Sequence, residues 1–599
     1  MPATARLRPY LAPVMSRFRA WSAWAMSLCV SLTLCACVRD PLQEAPQFRD
    51  VAIDAELADR PDAAAYDPES LLISATGAEL SAAERNIFQP RTDTPEYTYA
   101  APLDWSADPF EDANWRFQLH AWRMLNTRIV AYSRTGEPHH LDHSLFIIRD
   151  WKSWHTQGRR TSYSWDDMAT GLRASILAYL INEGRAGRYS PDAAAWSDLI
   201  ILADAHTEVL TRPGYIRDHN HGLFAAHGLM ALCRAAPELE RCEAATALAS
   251  TRIHELFDQQ FTTDGVHSEH SPYYHWFAKA TFERLASTGF YEGADLSARL
   301  EVVREVSPFL LHADGSQPGV GDTDRRIRSD ELARIPPPQA ACSDEAEPCL
   351  IIRHFDKAGY ILVRSALDAA APHSLFLTCA YHSDIHKHHD ELSFEWWAFG
   401  GLILAESGKY GFTEDNWRTF VLSRAAHNSI DFAGEERRWR DRATYPGACT
   451  DAVAETDGVV RVSGRVVFED IEAAHARDIH YLPNRSLTVT DTVKGGRAFT
   501  QWFHFARRVE LRPLPEPGRF RADLGPNAPH ITISTAAGCR AESVRGRRIP
   551  LQGWISVAYE EMEPRWSLAV HCPGDTLAAQ AVFEVVDDLG GQLGIRSDS

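Results

Sequence analysis

Residues 329–349 read SDELARIPPPQAACSDEAEPC, and the chain changes character across them. Three consecutive prolines, Pro336 to Pro338, remove backbone donors and clash with a preceding helical turn, so neither a helix nor a central strand runs through. Before this stretch apolar residues recur at three- and four-residue spacing. NWRFQLHAWRMLNTRIVAY (114–132), HSLFIIRDWKSW (143–154), DMATGLRASILAYLINEG (167–184), WSDLIILADAHTEVL (196–210), GLFAAHGLMALCRAAP (222–237), ATALASTRIHELFDQQF (245–261) and HWFAKATFERLAST (275–288) each predict a helix. After it the period falls to two, as in YILVRSA, SLFLTCAYH, LSFEWWAF, VVRVSGRVVF, RSLTVTDTV, FTQWFHF, HITIST and WSLAVHC. The boundary therefore separates an all-helical domain of paired helices, residues 101–328, from a large antiparallel β-sandwich, residues 351–599, with 329–350 as linker. The fold class is α+β and multidomain.

The N-terminus reads as an export signal. Arg6, Arg8, Arg17 and Arg19 precede an apolar run from Ala23 to Ala36 that is too short to span a bilayer well. Its end, Leu34-Cys35-Ala36-Cys37, resembles the lipobox of bacterial lipoproteins. Residues 1–36 are thus expected to be a signal peptide and Cys37 the lipidated anchor, with Val38 favouring the outer membrane. Residues 37–100, rich in Ala, Asp, Glu and Pro, read as a tether and N-terminal cap. Eight further cysteines follow, and in an exported chain the close pairs Cys233/Cys242 and Cys342/Cys349 are the expected disulfides.

A formal net charge of −20 argues against nucleic acid as a partner. The absence of a GxGxxG or Walker pattern argues against a nucleotide. Arg173, Arg424, Arg437, Arg438 and Arg440 are the cations able to make one cleft locally positive.

Three constellations carry chemistry. In YIRDHNHGLFAAHGL, Asn220 and His221 stand where an irregular segment enters a helix, either as caps or as ligand-facing donors. In DGVHSEHSPYYHWF, His267, Glu269, His270, Tyr273, Tyr274 and His275 crowd a proline turn, where a tyrosine acts as acid or base only if its surroundings tune it. HKHHDELSF, from His386 to Phe394, runs into a strand in which His386, His388 and Asp390 would share a face. With GGLILAESGKYGF and WRTFVLSRAAHNSI downstream, His388, Glu406 and His427 form a set of two nitrogens and one oxygen suited to a divalent ion.

Taken in order, NHGL, DGVHSEHSPYYH, HKHHDELSF, GGLILAESGKYG and SRAAHNSI resemble the heparinase II/III-like family of polysaccharide lyases, with weaker similarity in WDDMATGLR, QPGVGDTD, RSLTVTDTV and WFHF. The resemblance implies an incomplete (α/α) toroid followed by the β-sandwich, and β-elimination beside a uronate. It implies that Asn220 and His221 neutralise the uronate carboxylate, and that Tyr274 and His386 handle the C5 proton and the leaving O4. It implies that His388, Glu406 and His427 hold a structural zinc, Glu406 standing where the family more often has aspartate. A second family tyrosine would fall at Tyr410 or Phe420. Arg173, Glu269, His270 and Arg424 are expected to bind the acidic polysaccharide, which the lack of obvious sulfate-binding clusters suggests is unsulfated. Three rival readings remain: a non-catalytic glycan-binding lipoprotein, a glycosidase using Asp390 and Glu395, and a metal-dependent hydrolase, since HKHHDE approaches the HxHxDH ligand motif of the metallo-β-lactamase fold.

Overall fold

The computed structural model describes residues 45–51, 63–92, 94–291, 296–332, 350–365, 371–379, 382, 385–434, 447–454, 458–526 and 528–587. The signal segment, Cys37, the triple proline, Cys342, Cys349, Arg437, Arg438 and Arg440 lie outside them.

The helical half consists of inner helices buried nearly all round and outer helices buried on one stripe. Asp167–Arg185 and Asn220–Ala235 are inner helices, and their apolar sequences lack a polar face because neighbours cover every side. Cys242–Gln260 is an outer one, burying Ala245, Ala249, Ile253, Leu256 and Phe257 at helical spacing. The two inner helices run side by side in the same direction and touch backbone to backbone. A Cβ on Gly171 would lie 2.2 Å from the Phe224 carbonyl oxygen, and one on Gly228 would lie 2.1 Å from that of Gly171. That contact sets Asp167 beside His221 at the helices' N-terminal ends. Cys233 and Cys242 are disulfide-bonded as expected, tying the inner helix to its outer partner.

One predicted helix is broken. Residues 114–132 form Ala113–His120 and Asn126–Thr135, separated at Trp122, whose φ is +56°. The left-handed conformation costs a bulky residue about 1–2 kcal/mol. It delivers the Trp122 ring, fully buried, edge-on to Trp151 at 5.2 Å.

Beyond the linker every strand pairing is antiparallel among the described residues, in sheets of eight, five and four strands with short hairpins besides. The five-stranded meander runs Leu350–Phe355, Tyr360–Ser365, His373–Thr378, Phe394–Ala398, Gly401–Leu404. Its three central strands are buried at every position, because the sandwich core covers one face and the helical domain the other. Val266, Phe309, Leu310 and Val320 pack there against Phe355, Tyr360, Leu362 and Phe376. At the same seam the buried Glu395 carboxylate accepts from His312 Nε2 at 2.8 Å and from the Gly319 amide at 2.9 Å, and pairs with Arg325. The strand Ala473–Leu482 has no apolar alternation in sequence, since two of its inward residues are His475 and Arg477. Both bond to the buried Asp491, each at 2.7 Å. A further disulfide, Cys539–Cys572, ties the residue just before the strand Arg540–Arg545 to the neighbouring strand Trp566–Cys572 of the four-stranded sheet.

Candidate active site

Three helix N-termini open on the seam between the domains. Asp166 caps Asp167–Arg185, accepting from the Ala169 amide at 3.2 Å. His219 caps Asn220–Ala235, its Nδ1 accepting from the His221 amide at 3.3 Å. Ser271 caps Pro272–Ser287, accepting from the Tyr274 amide. Asn220 is thus the first helical residue rather than the cap, and it, His221 and Tyr274 project from helix starts, where amide donors and the helix dipole favour an anion.

His221 Nδ1 lies 3.3 Å from Asp167 Oδ1. Burial lowers the imidazole's pKa, but the bond and charge of Asp167, with the charges of Asp166 and Glu269, raise it overall. Burial likewise opposes ionisation of Asp167, yet His221 holds that carboxyl below its ordinary value.

From the sandwich side, His386 reaches into the same place. Its ring stacks on that of Tyr274 with centroids 3.5 Å apart and planes 13° from parallel. His386 Nδ1 donates to Asp322 Oδ2 at 3.1 Å, and Nε2 points to Glu269 Oε2 at 3.5 Å. Burial, with the negative charges of Asp322, Glu269 and Asp324 and the Tyr273 phenol, pushes the Tyr274 hydroxyl pKa well up, so it keeps its proton. Burial also raises Glu269, against the pull of His386 and His221.

HKHHDELSF does not work as an extended strand. His386 has φ +55° in a turn, and the strand begins at Phe394. His386 and His388 converge all the same, on one carboxylate: His388 Nε2 donates to Asp322 Oδ1 at 2.9 Å. Asp390 instead pairs with the buried Lys387. Asp322 was not among the expected site residues, although QPGVGDTD contains it. It is fully buried, and Arg418 grips both its oxygens, at 2.5 and 2.9 Å. Burial opposes its charge, but the two imidazoles and the guanidinium hold it well below the usual carboxylate range. Gly321 makes this possible, since at φ +55° a Cβ would lie 2.4 Å from the His270 oxygen and 2.6 Å from the His386 oxygen.

His388, Glu406 and His427 also come together, all buried. Glu406 contacts His427 Nδ1 and Ser393 Oγ, and the two imidazole rings are 5.4 Å apart. His388 Nδ1 and His427 Nε2 are buried without hydrogen-bond partners, the condition an ion would relieve, so the donor set suits a divalent metal. Among the described residues, the groups whose donor atoms all lie within 4.8 Å of one another are Asp167, His219, His221 and Glu84, His139, His140. The sandwich trio has to turn a side chain to close on an ion.

Other expected contacts lie elsewhere. Arg173 is inside the helical core, fully buried, bonded to His206 Nε2 and to the His120 and Ser164 carbonyls, over the faces of Trp122, Trp151 and Trp165. Its position in an apolar inner helix takes it away from any cleft. Arg424 is buried against Glu391 and the Phe468 ring in the sandwich. His270 is buried as a brace, Nε2 accepting from the His382 amide at 2.7 Å and Nδ1 donating to the Ile385 carbonyl. Of the expected substrate contacts, Glu269 is the one that meets an expected catalytic residue, His386, at 3.5 Å. The Tyr410 hydroxyl donates to Asp415, and Phe420 packs in the same apolar cluster.

Family models match both halves of the sequence: heparinase II/III N-terminus over residues 56–297, and heparinase II/III-like, C-terminal, over residues 350–586. The chain belongs to the heparinase II/III family. Sequence comparison with curated proteins finds no match. Among solved structures it is similar to a heparinase III (15 % identity, TM-score 0.67, covering 90 % of this chain and 86 % of that one). It is also similar to the heparan sulfate lyase HepC of Pedobacter heparinus (14 % identity, TM-score 0.61, 91 % and 86 % covered). At such identities these structures speak for the fold, a helical N-terminal region followed by a β-rich C-terminal domain. Family membership makes the heparinase II/III chain a polysaccharide lyase.

Proposed function

We propose that this polysaccharide lyase cleaves a uronate-containing, unsulfated acidic polysaccharide by β-elimination. The observation that carries the reading is the stack of Tyr274 on His386, one ring from each domain, beside the helix starts bearing Asn220 and His221. The C5 proton of a uronate becomes acidic only when the charge developing on its carboxylate is stabilised, the role given to the Asn220 and His221 donors. His386 Nε2 takes the C5 proton, since Nδ1 is committed to Asp322. The C4–C5 double bond forms as the C4–O4 bond breaks, and Tyr274, kept protonated by its surroundings, gives its proton to O4. The products are a new chain end and an unsaturated uronate, and water returns the proton from His386 to Tyr274. His388, Glu406 and His427 would hold a divalent ion, zinc by their chemistry, whose contribution is structural. His388 shares Asp322 with His386, so fixing one orients the other.

The test is a panel of uronate polymers followed by ultraviolet absorbance of the unsaturated product. One polymer should give rising absorbance. Tyr274→Phe should lose turnover by about 10²–10⁴ while keeping affinity, whereas a binding protein has no turnover to lose. Reducing ends without absorbance would mean hydrolysis and end the proposal. We further propose export and lipidation at Cys37 in the outer membrane, which fatty-acid labelling of the wild type but not of Cys37→Ser checks.

A further inference from the structure

Asp167, His219 and His221 stand half-buried at two helix starts with their donor atoms all within 4.8 Å of one another. The His221 Nδ1 to Asp167 Oδ1 separation is 3.3 Å. Metal–ligand bonds of about 2.0–2.1 Å put tetrahedral neighbours about 3.3 Å apart. The residues need not move far to meet that geometry. Asp167 and His221 sit on inner helices locked together at Gly171 and Gly228, and His219 is held by its capping bond. The rings of His219 and His221 lie edge to face, 4.7 Å between centroids.

We propose that Asp167, His219 and His221 bind a divalent first-row transition ion of the zinc class, and that its open coordination positions receive the substrate carboxylate. Two imidazoles and one carboxylate leave coordination positions free for a further ligand, and what those positions face decides whether an outside group can reach them. Exposure agrees: the His221 side chain is 42 % accessible and Asp167 12 %, while the trio in the sandwich is sealed.

The charges around the site point the same way. Helix N-termini disfavour a cation, and Arg217 bears on His219 with the same sign. Against them stand Asp166, Asp167 and Glu269, all acting on His221. Glu269 is 5 % exposed, and its Oε2 is buried with no hydrogen-bond partner. These carboxylates offset the anion preference of the helix starts, and an ion bound among them restores positive charge where the uronate must sit. His221 then acts through the ion, while Asn220 remains a direct donor.

The carboxylate part rests on the uronate reading above; the ion site does not, and it is tested with metal alone. Metal-stripped full-length protein is titrated with Zn²⁺ and with Co²⁺, following heat and cobalt d–d absorption. His219→Ala and the milder Asp167→Asn are titrated beside it, with melting curves to check folding. Each variant should lose one equivalent of ion or bind it at least tenfold more weakly, and anomalous scattering should place that ion between Asp167 and His221. Unchanged stoichiometry and affinity in both variants would overturn the site. Free glucuronate should bind wild type at least tenfold more tightly with Zn²⁺ than without, and equal affinity would overturn the carboxylate role. Neither result depends on finding a polymer that is cleaved.

Discussion

Replacing Asp322 by asparagine tests the connection between the domains most directly. The carboxylate accepts from His386 and His388 and from both terminal nitrogens of Arg418, in a fully buried place. Asparagine keeps the shape but removes the charge and turns one acceptor into a donor, so one imidazole must change tautomer or lose its bond. Arg418 becomes an uncompensated buried cation. Breaking a buried ion pair costs about 3–5 kcal/mol. For a domain of this size that lowers the melting temperature by about 2–4 °C per kcal/mol, so about 6–20 °C in all. An Asp-to-Asn exchange behind a catalytic histidine costs about 10⁴ in kcat in the serine-protease triad. Here we expect a loss of at least about 10² in kcat with little change in KM, because a carboxylate that orients a proton-transfer group acts in the transition state. Calorimetry gives the first number and steady-state kinetics on the responsive polymer the second. A variant that melts with the wild type and turns over at its rate would show that Asp322 neither anchors Arg418 nor orients His386.

Arg173→Lys should lower the melting temperature while leaving KM at the wild-type value, since the guanidinium bonds and ring contacts are lost from the core and not from the cleft; a raised KM in a stably folded variant would return Arg173 to the substrate. Gly171→Ala should destabilise by roughly 1–3 kcal/mol through helix separation and weaken turnover by moving Asp167 from His221, and denaturant unfolding that matches wild type would contradict the close approach. Stability should fall as pH drops below 6.5. Buried His227, bonded to Tyr291 and the Ser70 carbonyl, has its pKa lowered mainly by burial to about 4. Between that value and 6.5 the unfolded chain binds more protons, so acid favours unfolding, by about 3 kcal/mol for the full shift. His227→Gln should flatten the pH dependence by about that amount, and parallel melting-temperature curves would exclude it.

Much of this was legible before any coordinates. The change of period at the prolines separates the two architectures because each reflects a repeating burial pattern along consecutive residues. Asn220, Tyr274 and His386 stood out in the sequence because their segments concentrate residues that packing alone does not need, and the structure brings Tyr274 and His386 into one stack. Asp322 escaped because its partner His386 is 64 residues away and GDTD reads locally as a turn. Arg173 misled because sequence shows a charge but not the three tryptophans that enclose it. Ala473–Leu482 lacked strand alternation because His475 and Arg477 occupy inward positions, where a buried Asp491 accommodates them. In each case the missing information was a contact distant in sequence.

The location of Asp322 limits how this enzyme can be recombined. The residue belongs by chain order to the helical half, yet it serves two histidines and an arginine of the other half. Splicing a relative's sandwich after residue 328 would therefore import imidazoles whose carboxylate was evolved for a different neighbour. The exchangeable piece is the sandwich together with the stretch from Gln317 to Arg325, which also supplies the Gly319 and Arg325 contacts to Glu395. A hybrid cut before Gln317 should keep His386 and His388 on a matched carboxylate, and one cut at the prolines should not.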